Sequence, residues 1–556
     1  MIYYLIIYSL FMLLLSLIMF LVGSFFYLNK MILILEWMIF MISGMKFNYV
    51  IYLDYMGMFY IGVVLLISFF ILIYSKDYMF GDVYINRFKY LLMLFILSMC
   101  LMILSPNILS LLLGWDGLGL ISYCLVIYYQ NMNSYTSGML TILCNRLGDV
   151  GLLMLIAMMS YMGSWNLILY GMFSGGMMFM FMAIITKSAQ MPFSAWLPAA
   201  MTAPTPISSL VHSSTLVTAG VYLLIRYNKF FNNMDKTYLI IISGMTMFMA
   251  GIMANYEYNL KKIVALSTLS QLGFMMSILG MGMVELGFYH LLIHAFFKSL
   301  MFMCVGGFMH VTLNCQDLRK FKGVMWISPF KTFIFMFSLM NLSGFPFFSG
   351  FYSKDLILEF MNINKLNMIM VYILMINTFL TINYSVRIMK LLLNFYMTIF
   401  SYQYINDGKF MIFCKMMLFM IVVIFGLMYM EIFNYYTFMI TSYEKNILML
   451  IYISSWSLNL SFYYSDNMKY NFKFYNFILM MFYSIYLYKI IYLNLMNFIM
   501  KYEKFNEKWL DKMMGLNMNN IYFLKNYKII HNWFYSIYAM KLMKFYVILL
   551  IYMFMF

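Results

Sequence analysis

Long apolar stretches alternate with short polar breaks along the whole chain, from residues 2–22 at one end to residues 546–556 at the other. The polar breaks fall at residues 75–89, 130–136, 228–236, 255–262, 314–322, 401–409 and 466–473, and none is long enough for a soluble domain. Crossing about 30 Å of hydrocarbon takes roughly 20 apolar residues in a helix, and about sixteen stretches of this chain approach that length. Lipid offers no partner to backbone N–H and C=O groups, so only helices or a closed barrel can span it. The runs are too long and continuous for barrel strands. The pattern therefore predicts an all-α polytopic membrane protein with about 16 transmembrane helices. Residues 2–22 lack the basic start and small-residue cleavage site of a signal peptide, so they read as a retained helix.

Two of the predicted helices carry breaks at membrane depth. Pro192, Pro198, Pro204 and Pro206, four of the seven prolines, crowd into one stretch, and Pro346 lies in Leu342-Ser-Gly-Phe-Pro-Phe-Phe-Ser-Gly350. Proline and glycine interrupt helices, and interrupted helices within a membrane are tolerated where they line a polar cavity. Lys187 sits just before the first break and Lys354 just after the second. That pairing, made twice, points to two structural repeats of the kind transporters use.

Composition agrees with the pattern: of 556 residues, 65% are hydrophobic and only 10% charged, against roughly 25% charged in soluble domains. The net charge of +16 comes without an Arg-rich groove or base-stacking motif, which argues against nucleic acid. Anionic lipid head groups, such as those of cardiolipin, or acidic neighbouring subunits are the expected partners. Basic residues flank spans on both sides, Arg226, Lys229 and Lys236 before one helix and Lys261 and Lys262 after it, so charge counting sets no orientation. The six cysteines are scattered and indicate neither a metal site nor a disulfide framework. The abundance of Met, Phe, Tyr, Ile, Asn and Lys suits a gene in AT-rich DNA, as in a mitochondrial genome.

Charged residues inside a membrane cost about 2.5–3.5 kcal/mol each on insertion scales, so they normally face the protein interior and carry function. Asp116 lies in Leu113-Gly-Trp-Asp-Gly-Leu-Gly119, where glycines would let another helix approach. Asp149 closes Asn145-Arg-Leu-Gly-Asp149, with Arg146 one turn away as a partner, and reads either as part of a buried row or as an interfacial ion pair. Lys187, in Ile184-Ile-Thr-Lys-Ser-Ala-Gln190, loses the hydration its charge needs, and a carboxylate that approaches and leaves would let it bind and release a proton. His212 follows the Pro-rich break and reads as a relay group or a packing residue. His290, His294 and Lys298 stand at i, i+4 and i+8, on one helical face, as a ladder of titratable groups. A zincin reading fails because Leu291 stands where H-E-x-x-H needs Glu. Lys354 with Asp355 either ends the row or forms an interfacial charge pair. These observations point to proton movement along a buried row.

At these residues the chain resembles the antiporter-like membrane subunits of respiratory complex I. The resemblance rests on Gly114-Trp-Asp-Gly-Leu-Gly119, Asn145-Arg-Leu-Gly-Asp149, Lys187-Ser-Ala-Gln190 with Trp196-Leu-Pro-Ala-Ala200 and Ala203-Pro-Thr-Pro-Ile-Ser-Ser-Leu-Val-His-Ser-Ser-Thr215, and His294-Ala-Phe-Phe-Lys298 leading into Ser353-Lys-Asp355. These passages run in family order over about residues 90 to 395. The resemblance implies two inverted five-helix repeats with broken helices, and a proton path. In that path Asp116 and Lys187 form the input pair, His212, His290, His294 and Lys298 bridge two half-channels, and Lys354 with Asp355 forms the exit. The family usually has Glu at position 116, and the shorter Asp puts a direct bond to Lys187 in question. It further implies a subunit of the proton-translocating NADH:ubiquinone reductase in the mitochondrial inner membrane. Flavin, iron-sulfur clusters and quinone would belong to other subunits, with no cofactor or metal in this chain. The expected partners are other membrane-arm subunits, especially the chain 4 antiporter-like subunit.

Three regions follow: N-terminal helices over 1–89, an antiporter-like core over 90–395, and C-terminal helices over 396–556. In the last region, residues 483–539 interleave Lys501, Lys504, Lys508, Lys512, Lys525 and Lys528 with apolar side chains, while Glu503, Glu507 and Asp511 recur every fourth residue. That spacing reads as a long lateral amphipathic helix, or as a polar loop with short helices. A sodium/proton antiporter of the Mrp type and a purely structural membrane clamp are the competing functions.

Overall fold

The computed structural model describes residues 2–42, 45–167, 174–312, 314–364, 368–393 and 408–432, with a scatter of single residues between 450 and 497. The lateral helix expected over 483–539 and the last expected span lie outside the described residues. Fourteen α-helices of 12 or more residues frame the described part. They are α1 (Ile2–Asn29), α2 (Tyr55–Tyr78), α3 (Ile85–Leu104), α4 (Ile108–Val126), α5 (Met132–Ser160), α6 (Ser174–Lys187) and α7 (Leu216–Tyr227). Next come α8 (Asn233–Tyr256), α9 (Leu260–Gly280), α10 (Val284–Val311), α11 (Pro329–Ser343), α12 (Ser349–Asn364), α13 (Met368–Leu393) and α14 (Lys409–Ile432). Among the described residues, 11 helices are long and apolar enough to cross a membrane.

One departure from the all-helical expectation is a hairpin of β1 (Leu33–Ile42) and β2 (Met45–Leu53), antiparallel from Leu33 opposite Leu53 to Ile42 opposite Met45. Its physical reason is length. A run of ten residues, apolar but for Glu36, cannot span the hydrocarbon as a helix, whereas pairing it with the nine residues of β2 satisfies the backbone groups between them. Asn107 anchors the hairpin to the bundle, its Nδ2 donating to Asn48 O at 2.8 Å.

Caps set where the helices begin. The Asp54 carboxylate accepts from Gly57 N at 2.9 Å, and Asn259 accepts from Lys261 N at 3.1 Å. Asn131 and Ser134 form a capping box at the start of α5. Gly344, at φ 79, ends α11 in the left-handed conformation that glycine adopts without strain. Within the spans, serine hydroxyls of Ser68, Ser98, Ser267, Ser277 and Ser338 donate to the carbonyl three residues earlier, so they need no partner from lipid.

The spans are not equivalent. The 18-residue apolar windows of 205–230, 260–280 and 284–311 are 100% buried, against 22% for α1 and 33% for α14. Their hydropathies of 1.4, 1.6 and 1.7 are lower than the 2.8 and 2.2 of those two outer helices, so these three more polar spans lie inside while the two most exposed ones are strongly apolar. That arrangement follows from the cost of exposing polar groups to hydrocarbon. At one end of the bundle, Arg226 at the end of α7 reaches Asp54 at the start of α2. Nη1 lies 2.6 Å from Oδ2 and Nη2 2.8 Å from Oδ1, and Nε donates to Tyr222 Oη at 2.8 Å.

Candidate functional site: a buried row of titratable side chains

The two interrupted helices form as the Pro and Gly pattern requires. Helix α6 stops at Lys187, the chain turns through Ala189 at φ 54, and short helical turns lead to Pro204. Helix α11 stops at Ser343 and α12 starts at Ser349. Lys187 is fully buried, its Nζ donating to Trp115 O at 3.4 Å and lying 4.9 Å from the centroid of the Trp115 ring. Three glycines press α6 between its neighbours. A Cβ at Gly220 would come within 2.9 Å of Ile184 O, one at Gly151 within 2.8 Å of Phe179 O, and one at Gly148 would meet the Thr186 hydroxyl.

Trp115 links Lys187 to the acids. Its Nε1 donates to Asp149 Oδ1 at 2.8 Å, while Asp149 Oδ2 pairs with Arg146 Nη1 at 3.1 Å. Asp116 and Lys187 are not in salt-bridge contact. Asp116 Oδ1 instead lies 3.8 Å from Arg146 Nη1, with a third of its side chain exposed. The reason is helical phase: successive residues on α4 point about 100° apart, so when Trp115 faces Lys187, Asp116 turns toward α5. The acid in contact with the residue beside Lys187 is thus Asp149.

His212 rides on a π-helical segment, Ser208–Thr215, whose end is marked by Leu216 N donating to Val211 O, five residues back. Its ring stands 6.4 Å from that of Trp196, and Trp196 Nε1 donates to Thr186 O at 3.1 Å beside Lys187. Neither His212 nitrogen has a hydrogen-bond partner among the described residues.

The face of α10 predicted from the i, i+4, i+8 spacing turns wholly inward: His290, His294 and Lys298 are each 0% exposed. His290 is bracketed, Nδ1 lying 2.9 Å from Ser353 Oγ and Nε2 3.3 Å from Gln271 Oε1. The His290 and His294 ring centroids are 6.3 Å apart, about one helical turn. Both His294 nitrogens are buried without a hydrogen-bond partner among the described residues. Lys298 Nζ donates to Ser267 Oγ at 2.6 Å. Beyond Ser353, Lys354 is buried and donates to Leu342 O, filling a carbonyl left open where α11 ends. Asp355 is half-buried on the same helix.

The arrangement gathers six buried bases, Lys187, His212, His290, His294, Lys298 and Lys354, and serine or glutamine side chains meet two of them, His290 and Lys298. Sequence reading missed those connectors, Ser267, Gln271 and Ser353, and the bridging role of Trp115. Ser and Gln inside apolar runs carry no spacing signature; the indole N–H that must find a partner when buried was the available signal for Trp115. Among the described residues, no group of His, Cys, Asp and Glu is placed to hold a metal ion.

Residues 105–381 match the family described as NADH:quinone oxidoreductase/Mrp antiporter, TM. The chain is 44% identical to NADH-ubiquinone oxidoreductase chain 5 of Aedes aegypti, over 79% of each sequence. It is 47% identical to the protein of that name from Locusta migratoria, over 70% of each. Its fold is similar to a chain in the Mrp complex from Dietzia sp. DQ12-45-1b, with TM-score 0.70 at 22% identity, over 80% of this chain and 52% of that one. A chain of the archaeal membrane-bound sulfane sulfur reductase is similar at TM-score 0.63 and 20% identity, over 81% of this chain and 94% of the other.

Proposed function

Since this chain belongs to the NADH-ubiquinone oxidoreductase chain 5 family, the antiporter-like membrane subunits of respiratory complex I, we propose that its buried row is the route by which it moves protons. The subunit is a multi-pass protein of the mitochondrial inner membrane that couples NADH-to-ubiquinone electron transfer to proton translocation. On this reading flavin, iron-sulfur clusters and quinone belong to other subunits, and the share of this chain is charge movement. Other complex I subunits are its partners, with the chain 4 antiporter-like subunit as the neighbour and cardiolipin as a bound lipid.

One observation supports the reading above all. His290, His294 and Lys298 line one face of a helix whose 18-residue apolar window is 100% buried. Purely structural packing would not select three such groups there, because each forfeits hydration that apolar side chains never needed. The steps follow from the contacts. Lys187 takes a proton when the Asp149 carboxylate, held by Trp115 and Arg146, is negative beside it. His212 and His294, whose ring nitrogens have no hydrogen-bond partner among the described residues, accept and pass protons through water or a neighbour's movement. Ser353 joins His290 to the helix of Lys354, the outlet, with Asp355 beside it. Asp116 biases Arg146, and through it Asp149, rather than touching Lys187.

The decisive test is Lys187→Met in the assembled complex, with proton translocation and NADH oxidation measured together in sealed vesicles. Proton translocation falls while assembly survives. Normal pumping by the assembled variant would leave the row as packing and favour a structural clamp; a sodium requirement would favour the antiporter reading.

A further inference from the structure

Two more lysines are buried where the proposed route makes no use of them. Lys415 of α14 is 0% exposed and Lys331 of α11 is 5% exposed. They arrive from different helices at one spot on α10. A Cβ at Gly307 would meet Lys415 Nζ, and Lys331 Cδ lies 3.7 Å from the same point. The adjacent Gly306 plays the matching role on another side of α10, where a Cβ would collide with Tyr74 Oη and lie 2.6 Å from Thr205 Oγ1. Two consecutive glycines thus open α10 to an ammonium pair and a hydroxyl pair at the same level. Thr205 stands three residues before the π-helical segment of His212. Tyr74 stacks on Tyr78 at 5.7 Å, and Tyr78 lies 6.3 Å from the ring of His310, which is exposed.

Among the described residues, the titratable and charged groups facing this spot are Tyr74, Asp77 and Tyr78 on α2, and Cys304 and His310 on α10, with Cys414 beside Lys415 on α14. Asp77 also accepts from Phe410 N at 3.0 Å and Met411 N at 3.2 Å, which seats the start of α14 beside α2. Two ammonium groups crowded into an apolar interior repel, and neither keeps the hydration its charge requires. A proton taken up by one therefore favours release from the other. Such a pair exchanges protons rather than storing them, provided one end of the polar chain meets water, as His310 does.

We propose that Lys331 and Lys415, converging on Gly307 beneath His310, form a proton-exchange site connecting the interior of the bundle with the aqueous face at the C-terminal end of α10. This rests on the proton-translocating reading of the central row and adds an opening to it that neither Lys187 nor Lys354 provides.

The test uses the assembled complex in sealed vesicles, with proton translocation and uncoupled NADH oxidation measured side by side across the neutral pH range. Lys415→Met and Lys331→Met are expected to slow translocation roughly 10- to 100-fold, at or below the lower end of what a positioned proton-transfer group contributes. Lys415→Arg should be as defective as Lys415→Met, because arginine keeps its proton. His310→Gln, at the exposed end, should move the pH profile of translocation. Rescue by Lys415→Arg would show a structural charge and overturn the proposal. So would normal translocation in Lys415→Met when Lys187→Met is impaired, with the central row left standing. Normal translocation in both would remove the proton route as a whole. Should the methionine variants fail to assemble, Lys415→Arg and His310→Gln decide the matter by the same readouts.

Discussion

Replacing Asp54 by Asn isolates the charge in the contact that ties α7 to α2. The Asp54–Arg226 pair is nearly closed to solvent, with side chains 9% and 13% exposed, and it is doubly hydrogen-bonded at 2.6 and 2.8 Å. Asparagine is as good an N-cap as aspartate, so the bond from Gly57 N survives. What is lost is the negative charge opposite a buried guanidinium. Removing one partner of a buried pair costs about 3–5 kcal/mol. Here Tyr52 at 4.7 Å and Tyr222 at 5.2 Å still hold the guanidinium over their rings, each worth roughly 0.5–2 kcal/mol. The expected loss is therefore about 2–4 kcal/mol. Hydrogen exchange in the detergent-solubilised complex measures it, because amides of α7 and the start of α2 should exchange faster than those of α9. Adding Arg226→Met to Asp54→Asn should recover part of the loss by removing the stranded charge. A single variant with unchanged protection, or a double variant worse than the single, would show that the pair does not hold these helices together.

Two further outcomes follow from the contacts around α6. Trp115→Phe keeps the ring near Lys187 but removes the 2.8 Å bond to Asp149, a bond to a charged acceptor worth about 1.5–3 kcal/mol; translocation should fall about tenfold or more in assembled complex, and wild-type rates would show that Arg146 alone fixes Asp149. Gly220→Val would drive a side chain into Ile184 O, 2.9 Å from the Cβ position, so complex yield on native gels should fall at least several-fold, as expected of overpacking by about 1–3 kcal/mol, while normal yield would mean that α6 can shift aside.

The inward face of α10 was readable from the sequence because helix period and residue type agree: His290, His294 and Lys298 repeat every four residues, and all three are buried. The two interruptions were readable from Pro and Gly. Phase around α4 was not, because the charge of Asp116 drew the reading to that position, and only packing against α5 and α6 turns the adjacent Trp115 to Lys187 instead. The β-hairpin escaped because apolar composition dominates a run whose alternation is hidden by residues hydrophobic on both faces. Lys331 and Lys415 did leave a trace, lone lysines in apolar runs. Lys415 adjoins no helix break, and the single Pro329 before Lys331 lacked the clustered Pro and Gly by which Lys187 and Lys354 stood out.

The π-helical segment gives the neighbourhood of His212 a sensitivity to chain length rather than to chemistry. Each residue of an α-helix advances the side-chain direction by about 100°, and the wider turn of Ser208–Thr215 absorbs a residue that an ordinary helix would not accommodate. Deleting one residue between Ser208 and Thr215 would let the stretch close into regular turns with every serine still nearby. The imidazole would then swing about a quarter-turn out of register with Trp196, so a one-residue gap here is a larger change than most substitutions.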